Sequence, residues 1–402
     1  MRYNPYMALI VNKDKPTASG PDAAPPPAAA PPDAAPATAS APATASAPAT
    51  TQPAAPPPAS DRALEVYSTR HLLRRIILLA VALLAVALVS LMLGRYTAWP
   101  HQILQTVIEH FGPTGAITDP KLDTALFNIR FPRVVVVVLV GMALSVAGAS
   151  YQGMFKNPLV SPDLLGASAG ASFGACLALL ADLGNEFIQL FAFIGGLLAV
   201  LCVLAVNRAV RSDALLGLIL GGILVGTLFS SGTSIIKLVA DADDKLPAIT
   251  FWLMGSFASI TLRDMVLTAP LMLIGFVLLL SQRWNLNVLS FGEEEAKSLG
   301  VNTRRTRFIV IIAATLLTAC SVAIAGIIGW IGLVVPHLTR AIVGPNYRLL
   351  LPTTMLVGAA FLLVVDNFAR LLFAVEIPIG LLTSILGVPF FAFIYRRNMK
   401  GW

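Results

Sequence analysis

Charge is scarce in this chain. Only 12% of its 402 residues are Asp, Glu, Lys or Arg, against about 25% in an ordinary soluble domain. Hydrophobic residues make up 56% and the mean hydropathy is +0.79. That balance excludes a soluble enzyme and a chain disordered throughout, and it implies a polytopic membrane protein. The three cysteines, Cys176, Cys202 and Cys320, lie in apolar runs without metal or redox spacing, so they read as small buried hydrophobes. The four histidines, His71, His101, His110 and His337, are far apart in sequence and support no metal cluster. No G-x-x-x-x-G-K-[ST] loop is present, which excludes ATP hydrolysis by that route, and H-E-x-x-H and G-x-S-x-G are also missing.

What is present begins with a biased tail. Residues 16 to about 60 are mostly Ala and Pro with Thr and Ser, a composition that cannot build a core and is expected to be extended and mobile. Met1–Val11 is followed by Asn12-Lys13-Asp14-Lys15 and then proline, not by an apolar core with a cleavage site, so it is not a signal peptide. The division is therefore a disordered cytoplasmic tail, 1–61, and a transmembrane domain, 62–402. The tail is either a tether for a partner or a dispensable extension.

A bilayer-spanning helix needs about 20 apolar residues. Ten runs qualify: Leu72–Leu93, then about 134–152, 164–181, 187–206, 214–236, 264–281, 308–327, 328–343, 350–369 and 378–395. The stretch 308–343 also fits one span plus a re-entrant piece. Arg62, Arg70, Arg74 and Arg75 precede the first run, so the positive-inside rule places the N-terminus in the cytoplasm. Ten crossings return the C-terminus there, with Arg396, Arg397 and Lys400. The other inner loops carry Arg208 and Arg211, then Arg283, Lys297, Arg304, Arg305 and Arg307, then Arg340 and Arg348. The net charge of +7 follows from this bias. The basic residues form no single face, which argues against nucleic-acid binding.

Arg130 and Arg133, flanking Phe131-Pro132, and Arg370 fall at the outer side, against the bias. They serve lipid phosphates, a local ion pair, or acidic groups of an external partner. Inside the spans carboxylates are few. Asp366 lies near the outer end of the ninth run and Glu376 in the loop after it. The lack of deep carboxylates disfavours an ion-coupled secondary transporter and leaves energy to a partner. Gly217, Gly221, Gly222 and Gly226, and Gly166, Gly170 and Gly174, have the small-residue spacing of closely packed membrane helices.

The inner segment Leu289–Val301 reads as a short helix. Ser290 or Gly292 begins it, Glu293, Glu294 and Glu295 fill its first turn, Lys297 comes late and Gly300 closes it. Ala296 and Leu299 are expected on one face. Such a helix inserts into a groove on a soluble partner or lies at the headgroups.

The chain resembles the FecCD-type permease subunits of bacterial ABC importers over about residues 70–398. The resemblance is carried by Arg130-Phe131-Pro132-Arg133, Gly148-Ala149-Ser150-Tyr151-Gln152, Asn157-Pro158-Leu159-Val160-Ser161-Pro162-Asp163, Gly292–Val301, Gly329-Trp330 through Pro336-His337-Leu338-Thr339-Arg340, Asp366-Asn367-Phe368-Ala369-Arg370 and Glu376-Ile377-Pro378-Ile379-Gly380. The resemblance implies an all-α, ten-helix subunit of the type II ABC importer permease fold in the bacterial inner membrane. It pairs with a second copy or a close homologue. Two ATPase subunits, which bind ATP and Mg, dock below, and a periplasmic binding protein docks above. This chain itself is not an enzyme and needs no cofactor or metal. By the same resemblance Arg130, Arg133 and Arg370 accept acidic groups of the binding protein. Asn157, Pro158 and Leu159 form a cytoplasmic gate. Gly292, Glu293, Glu294, Ala296, Leu299 and Gly300 form the ATPase coupling helix, and His337 belongs to a structural turn. The expected cargo is a ferric siderophore, with cobalamin, haem or molybdate as alternatives.

Overall fold

The computed structural model describes residues 69–94, 98–112, 117–210 and 214–398. The tail 1–61, the boundary at 62, and Arg62, Arg211 and Lys400 lie outside the described residues. The described part is helical, with no strand among the described residues. In chain order the helices are α1 (Thr69–Met92), α2 (Pro100–Phe111), α3 (Pro120–Thr124), α4 (Phe131–Phe155), α5 (Ala167–Leu180), α6 (Asn185–Val210), α7 (Ala214–Val239), α8 (Lys245–Leu253), α9 (Leu262–Ser281), α10 (Arg283–Phe291), α11 (Glu293–Ser298), α12 (Thr303–Ala325), α13 (Ile331–Val343), α14 (Tyr347–Leu371) and α15 (Ile379–Asn398).

Seven helical stretches are long and apolar enough to cross a membrane: α1, the continuous run from α3 into α4, α6, α7, α9, α12 and α14. Three shorter apolar helices, α5, α13 and α15, complete the set. Together they match the ten apolar runs one for one. The second run starts earlier than hydropathy suggests. A wide turn, Ala125–Arg130, joins α3 to α4 without a break in hydrogen bonding, so the helix continues through the polar Asn128, Arg130 and Arg133. The helices α2, α8 and α10 carry too few apolar residues, or too short a run of them, to be seen as spans.

The centre of the bundle is α4 with α12. Their apolar windows are each 78% buried, against 6% for α1. Helix α4 packs on α14, α12, α13 and α9, and α12 packs on α9, α6 and α5. By contrast α1 packs mainly on α14 and leaves Leu73, Ile77, Leu78, Val81, Leu84 and Leu88 exposed, as a helix bathed in acyl chains does.

Helices α5 and α13 have 14 and 13 residues. At 1.5 Å per residue each is about 20 Å long, short of the about 30 Å of hydrocarbon. Non-helical backbone makes up the difference, and it has to be satisfied by protein. The Gln152 amide donates to the carbonyls of Val160 (3.3 Å) and Gly332 (3.4 Å). The Ser256 N–H donates to the Ala325 carbonyl (2.9 Å), Ile379 to Gly255 (2.9 Å) and Gly380 to Met254 (3.1 Å). Within 308–343, α12 ends at Ala325, residues 326–330 are not helical, and α13 follows as a short helix.

Close approach depends on missing side chains. A Cβ on Gly170 or Gly174 would overlap carbonyl oxygens of α6, at Gly195 and Phe191. A Cβ on Gly148 of α4 would overlap the Gly332 carbonyl oxygen of α13. Overpacking of this kind costs roughly 1–3 kcal/mol. Gly148→Val is therefore expected to lower the melting temperature of the purified protein by several degrees, whereas Gly184→Ala, where a Cβ meets nothing within 4 Å, leaves it unchanged. Equal melting temperatures for the two variants would refute this packing account.

Candidate functional site

Two polar centres sit at opposite ends of the bundle. The first is built where α1 ends, α4 begins and α14 ends. Arg130 and Arg133 are three residues apart on either side of the α4 start, so they share a face. Arg133 grips Asp366 of α14 through Nη2 (2.8 Å) and Nε (3.2 Å to each oxygen). Its Nη1 donates to Glu376 in the connection after α14 (3.0 Å). The side chains of Arg133 and Asp366 are 7% and 1% exposed, and that of Glu376 is 30% exposed. Arg130 Nη1 donates to the Leu91 carbonyl at the end of α1 (2.7 Å). Arg370 Nη2 donates to the Ser90 carbonyl and to Asn367 Oδ1 (both 2.5 Å). A helix C-terminus leaves carbonyls without partners and carries partial negative charge, so these two arginines close off α1.

The structure thus brings Arg130, Arg133 and Arg370 together, and each is engaged within the chain. The local ion pair considered for these arginines is what Arg133 makes. Within this cluster three arginines face two carboxylates, Asp366 and Glu376. Asp366 and Glu376 stood out in the sequence as scarce carboxylates, but no spacing links them to Arg133, more than 200 positions away.

The second centre is the segment that reads as a coupling helix. It is two helices, α10 and α11, broken at Gly292, whose φ of 152° suits glycine. Glu293 opens α11 and accepts from Arg307 Nη2 of α12 (2.7 Å), Thr303 Oγ1 (3.3 Å) and Lys297 Nζ (3.3 Å). The Arg307 hydrogen bond, aided by Lys297, holds the Glu293 carboxyl below its ordinary value of 4.5. Ala296 is buried in a small apolar cluster with Val288, Leu289 and Val301. The expected shared face of Ala296 and Leu299 is corrected by the structure. Leu299 is 66% exposed: its N–H still donates to the Glu295 carbonyl (3.1 Å), but the apolar cluster of Val288, Leu289 and Val301 closes over Ala296 alone. The outward surface comprises Phe291, Glu294, Glu295 and Leu299, with Gly300 (φ 79°) closing the turn.

Asn157, Pro158 and Leu159 lie together in one exposed turn after α4. Asn157 Oδ1 accepts from the Leu159 N–H (2.9 Å), and Lys156 before it is left-handed (φ 51°). A groove of about 560 Å³ runs between Asp163 and the hydroxyls of Thr227, Ser230, Ser231 and Ser234 on α7. Sequence reasoning passed over this hydroxyl row, although its i, i+3, i+4 and i+7 spacing marks one helix face. It named Arg340 and Gln152 but not their contact, in which Arg340 Nη1 donates to Gln152 Oε1 (2.5 Å). His337 is half-buried, and no group of three or more metal-ligating side chains occurs among the described residues.

Removing one member of a buried pair strands the other, at about 3–5 kcal/mol. Arg133→Gln is expected to destabilise the protein by that order, and Arg133→Gln with Asp366→Asn to recover most of it. Denaturation midpoints of Arg133→Gln, Asp366→Asn and the double variant check the coupling, and strict additivity would sink it. For Glu293, a carboxyl with a depressed folded value stabilises the fold above its unfolded value and stops doing so as pH falls through the folded one. Its titration, followed by carboxyl carbon shift in glutamate-labelled protein and assigned with Glu293→Gln, should move up towards 4.5 in Arg307→Gln. An unmoved titration would mean that Arg307 does not hold the carboxylate.

Comparison with known proteins bears on both ends. The FecCD transport family matches residues 82–397. The molybdate import system permease protein of Haemophilus influenzae is 41% identical over 315 residues, spanning 78% of this chain and 92% of the relative. A protein of Helicobacter pylori named as a probable iron chelatin transport system permease is 35% identical over 330 residues, spanning 82% and 98%. A solved structure, an inward-facing conformation of a metal-chelate type ABC transporter, superposes with a TM-score of 0.72 at 37% identity, over 81% of this chain and 99% of that one. A match along nearly the whole helical part, with relatives of such coverage, shows that the chain belongs to the FecCD transport family, as a membrane-spanning permease subunit of an ABC importer.

Proposed function

We propose that this subunit moves a metal chelate, a ferric siderophore complex, inward across the bacterial inner membrane by alternating access. The observation that carries the cargo is the likeness to the metal-chelate type transporter over 99% of that chain. A molybdate cargo is the second reading, favoured by the 41% identical relative. The hydroxyl groove along α7 is compatible with either: it offers hydrogen bonds with a single carboxylate, a wall that lets a polar cargo pass without holding it.

In this reading α10 and α11 meet one of two ATPase subunits through Phe291, Leu299 and the acidic Glu294 and Glu295. Movement of that contact reaches the bundle through Arg307 and the Ala296 cluster. A second permease subunit, the same or a close homologue, completes the pathway. The turn at Asn157, Pro158 and Leu159 narrows it on the cytoplasmic side. A periplasmic binding protein docks at the Arg133 end, attracted by the excess positive charge of the arginine cluster, since such charges steer association more than they add affinity.

The test is uptake into a strain lacking this protein and into the complemented strain, with labelled iron as a panel of siderophore complexes and labelled molybdate, cobalamin and haem alongside. Loss of one iron complex, restored on complementation and abolished by vanadate, is the expected result. Loss of molybdate, cobalamin or haem uptake with iron uptake intact would replace the cargo and keep the mechanism. Vanadate-resistant uptake would overturn the ATP-driven mechanism.

A further inference from the structure

One cavity in the bundle belongs to neither the groove on α7 nor the arginine cluster. It has a volume of about 790 Å³ and lies between the end of α6, the start of α7 and the start of α12. Arg208, Arg304 and Arg307 line its polar part, with Glu293 as the one carboxylate. Leu204, Leu218, Phe308 and Ile311 line the rest. Arg208 is in the last turn of α6 and Arg304 in the first turn of α12. Both are exposed, and neither has an ion pair with another described residue. They are therefore cations at the depth where apolar helices leave the hydrocarbon, above an apolar wall in which Phe308 is exposed, Leu204 half-buried, and Leu218 and Ile311 buried behind them.

The polar wall is also incomplete. Arg307 gives Nη2 to Glu293, but its Nε is buried without a hydrogen-bond partner, and so is Asn207 Oδ1 in the same wall. Buried donors normally have partners, so the Arg307 Nε–H asks for an acceptor, whereas the Asn207 oxygen, itself an acceptor, draws nothing from an anion. A small soluble anion would satisfy the arginines and leave the apolar wall wet. A neutral acyl chain would cover the wall and leave the arginines unmatched. One molecule that meets both demands is a diacyl phospholipid with an anionic headgroup, and basic pockets between membrane helices bind such headgroups.

We propose that the cavity between α6, α7 and α12 is a binding site for one anionic phospholipid, its phosphate on Arg208 and Arg304 and its first acyl carbons on Leu204, Phe308 and Ile311. The site touches the coupling segment, because Arg307 in its wall also holds Glu293. A headgroup phosphate draws on the same guanidinium, so occupancy of the site bears on how firmly the first residue of α11 is fixed. This inference stands independently of the cargo.

The full-length protein, purified in detergent and offered phosphatidylglycerol or phosphatidylcholine, is examined by native mass spectrometry for retained lipid. Phosphatidylglycerol should stay bound under activation that strips phosphatidylcholine. Each basic residue near an anionic headgroup is worth roughly fivefold in binding, so Arg208→Gln with Arg304→Gln should weaken retention about 25-fold. Both residues are exposed, and an unchanged melting temperature shows that the variant is folded. Lys121→Gln, at the opposite end, should retain lipid as the parent does. Equal retention of the two lipids by the parent, or undiminished phosphatidylglycerol on the folded double variant, overturns the proposal. Displacement by excess inorganic phosphate would overturn it in favour of a soluble-anion site. Loss of the lipid when a co-expressed ATPase subunit binds would overturn it in favour of a protein-docking pocket.

Discussion

A peptide group in hydrocarbon has no water to turn to, and the architecture follows from that constraint. Helices α5 and α13 are too short to cross alone, so their crossings include non-helical backbone. That backbone is tolerated only where protein surrounds it. Here it is surrounded by α4 and α12, the most buried helices, and is bonded through Gln152 beside α5 and Ser256 beside α13. Gly148, Gly170 and Gly174 sit where the resulting packing leaves no room for a side chain. Peripheral helices such as α1, complete in their own hydrogen bonding, can face acyl chains.

The same economy governs charge. Arg133 can be buried because Asp366 is buried with it and supplies both oxygens. Arg130 and Arg370 are near burial because the end of α1 offers them carbonyls. At the other end Glu293 is anchored by Arg307 across 14 residues of sequence. Charged groups accordingly gather where helices terminate, and the lengths of the helices set where that is.

Much of this was legible in the sequence, for identifiable reasons. The ten apolar runs were readable because hydrocarbon demands them, and the small-residue spacing marked α5 and α7 as packing helices. The acidic first turn of α11 and its closing glycine were readable because helix ends have local chemistry. Partnerships were not. Nothing in the spacing of Arg133, Asp366 and Glu376, or of Gln152 and Arg340, announces a contact, because such pairs are set by which helices become neighbours. Leu299 shows the opposite error. Helical spacing put it on the face of Ala296, but the apolar cluster that buries Ala296 does not reach it. The family's named relatives differ in cargo although each matches most of this chain, which is why the family was easier to read than the substrate.

The two carboxylates on Arg133 are not equivalent. Asp366 is sealed in the bundle, whereas Glu376 stands at the rim in the connection between α14 and α15. In the proposed docking, an acid of the binding protein takes the place of Glu376 on the same guanidinium nitrogen. The count of charges around Arg133 is then unchanged and the buried pair is never broken. Such an exchange costs little electrostatically, yet it frees the connection that Glu376 had tied down. The rim of the bundle is in this sense an exchangeable coordination position, with Asp366 as the resident ligand and Glu376 as the labile one.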